Sequence, residues 1–169
     1  MYQNIKEDVL SGKISELIIE AFKGAKLGED SVNTSEKAVK LLTPLFMKEQ
    51  DVEKFYGIFL DAKLRVIEIE ELFSGSLTQS AIYPREIVKK VLKYRASALL
   101  IAHNHPSGEL EPSNADKMIT RQLLYALRSI EVHLIEHLII NYSSNCFSFC
   151  DNGLINKYKK EFDKFVREI

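Results

Sequence analysis

Two histidines, one residue apart, are the side chains in this sequence best suited to bind a metal ion. His103 and His105 follow the apolar run 96–101, which has the length of a strand buried on both faces. Because successive side chains of a strand point to opposite faces, both imidazoles should emerge on one side, with Asn104 facing away. Such a pair at a strand end has the geometry that a metal requires.

A carboxylate on the following element could complete a set of three ligands. Residues 106–108 are Pro-Ser-Gly and should end the strand, and a helical pattern of apolar residues begins after residues 112–113. Asp116 lies in the first turn of that predicted helix, so its carboxylate could return toward the strand end. Open α/β sheets place their ligands at this carboxyl end of the strands.

A purely structural interpretation of the same residues is also open. Ser113 and Asp116 have the spacing of a capping box, in which they only start the helix. His103 and His105 could be half-buried imidazoles with backbone partners. The metal interpretation is favoured because the pair ends a buried strand, the acid arrives on the next element, and the intervening loop is polar.

A longer signature surrounds these candidates. The two histidines, Ser113 and Asp116 follow the spacing H-x-H-x7-S-x2-D, and three segments extend the pattern: 73–75, 83–86 and 102–108. Together they resemble the RadC-like branch of the JAMM (JAB/MPN-plus) metalloprotease family. The resemblance covers about residues 53–154.

The resemblance implies a zinc site. In that family the two histidines and the aspartate hold zinc, which here implies His103, His105 and Asp116. A glutamate upstream acts as general acid and base on the water that zinc activates, and the serine stabilises the oxyanion. These roles fall on Glu53 and Ser113.

Only the resemblance selects Glu53. From the residues alone it is most simply a solvated charge at the start of a strand, and other acids are equally available, namely Glu86, Glu109 and Glu111. His133 and His137 are given no ligand role, because His133 is expected beside polar surface and His137 in the core.

Three departures from the family pattern are visible. Most JAMM peptidases carry Ser or Thr between the two histidines, whereas this chain has Asn104, the residue that RadC-like proteins have there. Little effect on metal ligation is expected. No helix-hairpin-helix pattern occurs in residues 1–50, which weakens the transfer of a DNA-binding role. The Leu-Asp-His segment of the family reads Ile-Glu-His at 135–137, and the retained acid and histidine suggest the same local role.

Composition describes an ordinary globular chain. The 169 residues fit one domain, with 46% hydrophobic and 28% charged residues and a net charge of −1. This near-neutral net charge argues against a broad nucleic-acid interface. The absence of a leader or of an apolar run of about 18 residues predicts a cytoplasmic protein without membrane contact. Cys146 and Cys150 are expected to be reduced and to pack within a strand.

The apolar periodicity predicts an α/β fold, with a mixed central β-sheet covered by helices on both sides in a three-layer αβα arrangement. The resemblance implies that this fold is JAB1/MPN-like, with the layering also seen in cytidine deaminases. Residues 1–50 form a helical extension, 51–154 the RadC-like domain and 155–169 a helix packing on that domain. The remaining expectations are a linker at Gly24–Asp30, a helix from Thr34 or Ser35 to Met47 that Pro44 kinks or shortens, and a hairpin over 55–60 and 64–72.

The expected function is zinc-dependent hydrolysis of a peptide or isopeptide bond, with a peptide or protein as substrate. Two alternatives stay open: a non-enzymatic module associated with DNA repair or recombination, and a metal that serves structure alone. The first thirty residues could mediate self-association into a homodimer. Deamination is set aside, because the His-x-Glu and Cys-x-x-Cys signature is missing.

Overall fold

A computed structural model describes residues 16–27, 31–47, 51–75 and 82–168, and it leaves out the side chains of 31–34. Residues 16–22 are helical. The labelled elements that follow are α1 (Ser31–Phe46), β1 (Glu53–Leu60), β2 (Val66–Gly75), α2 (Pro84–Tyr94), β3 (Ala98–His103), α3 (Asn114–Arg128), β4 (His133–Ile140), β5 (Cys146–Ser148) and α4 (Leu154–Arg167).

The five strands form one mixed sheet in the order β2-β1-β3-β4-β5. β3 and β4 are parallel, whereas β1 is antiparallel to both β2 and β3, and β4 is antiparallel to β5. The parallel pair is joined through α3, as a crossover connection requires. Central strand β3 is buried along its whole length, in agreement with its continuous apolar sequence.

Helices cover both faces of the sheet, which confirms the predicted three-layer architecture. On one face α1 packs against alternate residues of the strands, including Tyr56, Ile58 and Leu100. On the other face α2, α3 and α4 pack against the intervening residues, including Phe55 and Leu99. The period-two alternation of each strand therefore supplies two separate apolar cores.

The prediction of a linker at Gly24–Asp30 is wrong for its described part. Gly24 N donates to Val66 O at 2.7 Å, Val66 N donates to Ala25 O at 2.9 Å, and Leu27 N donates to Leu64 O at 3.1 Å. Glycines and charges suggested a free connection, but the backbone here pairs with the chain entering the edge strand β2. Residues 28–30 lie outside the described residues.

Two further boundaries differ from expectation. α1 begins at Ser31 rather than being capped at Thr34 or Ser35, and it continues to Phe46 with Pro44 inside it. Pro44 lies in the last turn, so its missing N–H removes one hydrogen bond without ending the helix. β2 extends to Gly75, beyond the predicted end at residue 72. Residues 1–15 of the predicted helical extension and residues 76–81 lie outside the described residues.

Candidate metal centre

The register of the sheet brings Glu53 to the carboxyl end of β3. β1 runs antiparallel to β3 with Phe55 opposite His103, so Glu53, two residues before Phe55, lies beside the chain that leaves the end of β3. Phe55 also stacks on the His103 ring, with the two centroids 5.4 Å apart. The strand pairing thus places an acid next to a buried histidine.

His105 lies just after the strand and is held by a turn. Gly108 N donates to His105 O at 2.9 Å, and Gly108 has a φ of 77°, which favours glycine. His105 Nδ1 lies 2.9 Å from Glu109 O. Because a carbonyl oxygen only accepts, Nδ1 carries the proton, and a neutral His105 therefore presents an unprotonated Nε2 to the site.

The capping box and the cluster of possible ligands occur together. Ser113 is the N-cap of α3: its Oγ accepts from Asp116 N at 3.1 Å, and Asp116 Oδ2 accepts from Ser113 N at 2.8 Å and from Ser113 Oγ at 2.6 Å. These bonds aim the carboxylate at the strand end. Asp116 Oδ1 lies 3.3 Å from His103 Nε2, and Oδ2 lies 3.5 Å from His105 Nε2. The two sequence interpretations are therefore compatible.

Four side chains converge with metal-ligand spacing. One ligand atom from each of Glu53, His103, His105 and Asp116 lies within 4.8 Å of the others. The two Nε2 atoms are 3.0 Å apart, and Glu53 Oε1 lies 4.0 Å from His103 Nε2. Two atoms bound about 2.1 Å from a tetrahedral ion lie about 3.4 Å apart. The two histidines and Asp116 therefore fit a zinc-sized ion.

The electrostatics of the cluster favour a cation. Burial alone would raise the pKa of Asp116, but its close contacts with the His103 and His105 imidazoles and its hydrogen bond from Ser113 hold the pKa of this carboxyl well below its usual range. The nearby Asp116 carboxylate, which would accept a hydrogen bond from the protonated ring, raises the pKa of His105, although burial opposes it. Burial lowers the pKa of His103, which is fully enclosed. An ionised carboxylate beside a neutral, buried imidazole attracts positive charge.

A cleft adjoins the cluster on the Glu53 side. It has a volume of about 410 Å³ and is lined by Asp51, Val52, Glu53, Gly75 and Pro106. Part of the lining therefore comes from the start of β1 and part from the loop after β3. The cleft gives a second molecule access to the Glu53 carboxylate.

Sequence reasoning placed Asn104 facing away from the histidines but missed what it contacts. Asn104 is fully buried; its Oδ1 accepts from Lys54 N at 2.8 Å, and its Nδ2 donates to Val52 O at 3.0 Å and to Tyr142 Oη at 3.2 Å. It thus binds the backbone on both sides of Glu53. The available signal was that an amide at the end of a buried strand needs partners.

The other histidines and the cysteines are located as follows. His133 is exposed and His137 is fully buried, as expected for residues without a ligand role. His137 Nε2 nevertheless lies 2.9 Å from His103 Nδ1, a contact that sequence reasoning missed. Cys146 and Cys150 are free thiols, but Cys146 is exposed on β5 rather than packed.

Comparison with known proteins identifies the family of this chain. Residues 32–154 match the family described as the RadC-like JAB domain. A UPF0758 protein of Nitrosomonas europaea is 45% identical over 130 residues, covering 77% of this chain and 58% of that protein. A UPF0758 protein of Vibrio parahaemolyticus is 43% identical over 122 residues, covering 72% of this chain and 54% of that protein. The chain therefore belongs to the RadC-like JAB family.

The matched family region begins within α1, so it includes most of that helix as well as the sheet. The chain spans a little over half the length of these relatives, 58% and 54% in the two cases. Among the residues that the structure describes, no helix combines the length and apolar character needed to cross a membrane.

Proposed function

We propose that this chain is a zinc-dependent hydrolase of the JAMM type that cleaves peptide or isopeptide bonds. The observation that carries the proposal is the convergence of Glu53, His103, His105 and Asp116 within 4.8 Å, at a strand end beside a cleft. Membership of the RadC-like JAB family supports it.

His103, His105 and Asp116 are the residues that would hold zinc, because each offers a buried or half-buried donor atom and their mutual distances suit a tetrahedral ion. Zinc in a site with three protein ligands polarises a carbonyl and activates a water at the remaining position. The other steps depend on the chain's own side chains.

Glu53 is the residue proposed to move the proton. Its carboxylate is 13% exposed, lies 4.0 Å from His103 Nε2 and lines the cleft. From this position it can take a proton from an attacking water and deliver it to a leaving amine. Ser113, at the N-cap of α3, is proposed to donate its hydroxyl to the oxyanion, which requires that the hydroxyl turn away from Asp116 Oδ2.

Metal binding is tested first. Parent protein and the variants His103→Ala, His105→Ala and Asp116→Ala are stripped of metal and titrated with zinc by calorimetry. The parent should bind one zinc per chain, and each variant should lose stoichiometric binding. His133→Ala is the matched control, because His133 is an exposed histidine on β4 and should leave binding unchanged. A parent without zinc affinity contradicts the proposal.

Catalysis is tested with a library of fluorogenic peptides, including branched peptides with an isopeptide bond. Glu53→Gln should keep zinc and lose at least about a hundredfold in cleavage rate. Glu111→Gln, an exposed acid on the loop before α3, is the matched control and should retain the parent rate. Equal rates for Glu53→Gln and the zinc-loaded parent would exclude Glu53 as the acid and base.

A metal that serves structure alone gives a different result on chelation. Treatment with EDTA should remove zinc from a catalytic site and leave the far-ultraviolet circular dichroism spectrum unchanged. The described fold has two large apolar cores that do not depend on the cluster for their packing, so it is expected to persist without metal. Unfolding on chelation would favour the structural alternative.

A further inference from the structure

A chain of buried polar groups lies behind the metal cluster. His103 Nδ1 lies 2.9 Å from His137 Nε2, and His137 Nδ1 lies 2.6 Å from Thr120 Oγ1. Thr120 Oγ1 lies 2.5 Å from the backbone oxygen of Asp116. His103, His137 and Thr120 are all fully buried. The chain therefore begins at one candidate ligand and ends at the backbone of another.

Each proton in this chain can be assigned by elimination. The Asp116 carbonyl only accepts, so the Thr120 hydroxyl uses its single hydrogen there. Thr120 Oγ1 must then accept from His137 Nδ1–H. A neutral His137 has no second ring proton, so its Nε2 accepts from His103 Nδ1–H. A neutral His103 consequently presents an unprotonated Nε2 to the cluster.

Both rings are held neutral and in place by their surroundings. His137 stacks on Phe149, with the centroids 4.5 Å apart, and packs at a tilt against Phe55. His103 and His137 are both fully buried, and burying a charged imidazole is costly, which favours the neutral form of each ring. The choice between the two neutral tautomers therefore decides whether His103 Nε2 has a lone pair for a metal.

We propose that His137 and Thr120 are positioning residues that set the tautomer of His103, so that its Nε2 is free to bind zinc. The inference rests on the proposed function, because it assumes that His103 is a ligand. Ligating histidines usually donate their other ring N–H to a carboxylate, a carbonyl or water. Here the acceptor is the His137 imidazole, whose Nε2 is unprotonated because Thr120 Oγ1 accepts the proton on His137 Nδ1.

Zinc affinity tests the role of the Thr120 hydroxyl. Thr120→Val keeps the side-chain shape but removes the oxygen that accepts from His137 Nδ1–H. His137 can then carry its proton on Nε2 and donate it to His103 Nδ1, so the His103 proton moves to His103 Nε2. Calorimetry should show zinc binding weaker by about tenfold to a hundredfold. Thr120→Ser keeps a hydroxyl and should restore the parent affinity. Unchanged affinity in Thr120→Val would overturn the inference.

Thr43→Val is the matched control for the loss of a buried hydroxyl. Thr43 Oγ1 donates to Val39 O at 2.8 Å, four residues back in α1, as Thr120 does to Asp116 in α3, but Thr43 lies on the opposite face of the sheet from the histidines. Its loss should leave zinc affinity unchanged. A weakening equal to that of Thr120→Val would assign the effect to general destabilisation and overturn the inference.

The imidazole nitrogen-15 spectrum of the metal-free protein gives a direct readout of the tautomer. In the parent, His103 and His137 should both carry their proton on Nδ1, and in Thr120→Val both protons should move to Nε2. A proton on His103 Nε2 in the parent overturns the inference even if Thr120→Val does not fold. A parent that binds no zinc but shows both protons on Nδ1 contradicts the proposed function while upholding the inferred hydrogen-bond chain.

Discussion

Asn104 stabilises the site without approaching the cluster of ligands. Its side chain replaces backbone pairing where β1 and β3 part, binding Lys54 N and Val52 O on either side of Glu53. A buried amide of this kind fixes the position of the neighbouring backbone, because each lost partner leaves a polar group without water. The residue between two candidate ligands thus orients a third member of the cluster.

Asn104→Leu is predicted to destabilise the fold. The change removes the side-chain partner of the buried Lys54 N–H, at a cost of about 1 to 3 kcal/mol, and that of the half-buried Val52 C=O, at a smaller cost. Urea unfolding of the metal-free protein measures the loss. Asn145→Leu, at an exposed position in the turn before β5, is the control and should change the free energy of unfolding little. Equal stability of the two variants would contradict the prediction.

The first turn of α3 combines two functions of one element. The capping box begins the helix, and the same hydrogen bonds direct Asp116 toward the end of β3. Negative charge near a helix N-terminus is also stabilised by the helix dipole. The element therefore gains stability from the same carboxylate that the site uses.

Ser113→Ala is predicted to lower the free energy of unfolding by about 1 kcal/mol, because an N-cap side chain is lost. Ser113→Thr keeps the hydroxyl and should recover most of the loss. The measurement is denaturant unfolding of the metal-free protein, with Ser129→Ala at the other end of α3 as the control. A loss in Ser129→Ala as large as that in Ser113→Ala would argue against a specific capping contribution.

Glu136 connects α1 to the sheet. Its carboxylate, which is 2% exposed, accepts hydrogen bonds from Ser35 Oγ at 2.7 Å, Ser148 Oγ at 2.6 Å, Cys150 N at 3.0 Å and its neighbour's backbone N at 2.8 Å. Burial raises the pKa of Glu136, and these four hydrogen bonds only partly offset it. Three elements, α1, β4 and β5, therefore meet at one buried acid.

A pH-dependent stability follows from the raised pKa of Glu136. The folded chain binds the Glu136 proton more tightly than the unfolded chain does. The stability that this proton contributes is therefore fully present below the pKa of Glu136 in the unfolded chain, and it is lost as the pH rises through the pKa of Glu136 in the folded chain. Glu136→Gln removes this titration and can donate to both serine oxygens. Its free energy of unfolding relative to the parent should increase as the pH rises above about 4.3, the ordinary pKa of a glutamate.

Urea unfolding at several pH values measures this difference. Ser129→Ala, which removes no titratable group, is the control and should show a difference that is nearly constant with pH. A constant difference for Glu136→Gln as well would contradict the raised pKa.

The candidate site joins segments that are far apart in the chain. Glu53 begins β1, His103 ends β3, His105 lies in the following loop and Asp116 opens α3. A ligand held by all of these segments binds the folded chain and not the unfolded one. Zinc should therefore stabilise the fold as a unit.

Zinc is predicted to raise the midpoint of thermal unfolding. At a free zinc concentration of 100 times Kd the stabilisation is about 2.7 kcal/mol, which corresponds to about 5 to 10 °C for a chain of this size. Differential scanning calorimetry of the stripped protein, with and without zinc, measures the shift. His133→Ala should show the parent shift and His105→Ala should show none; equal shifts would place the bound metal elsewhere.

Local features of this chain could be predicted from its sequence, including the burial of β3 and the start of α3. The burial of β3, the capping box and the common side of His103 and His105 follow from neighbouring residues, because strand and helix periods are set within a few positions. The roles of these residues as ligands stay a prediction.

The remaining contacts depended on tertiary structure. Among several acids, Glu53 reaches the cluster because the register of β1 against β3 puts it there, and that register is determined by packing across both cores. His137 reaches His103 through the parallel pairing of β3 and β4. The pairing of Gly24 and Leu27 with the chain entering β2 could not be predicted for the same reason. Which distant segments pair depends on the energy of the whole fold, and a local sequence pattern carries no information about it.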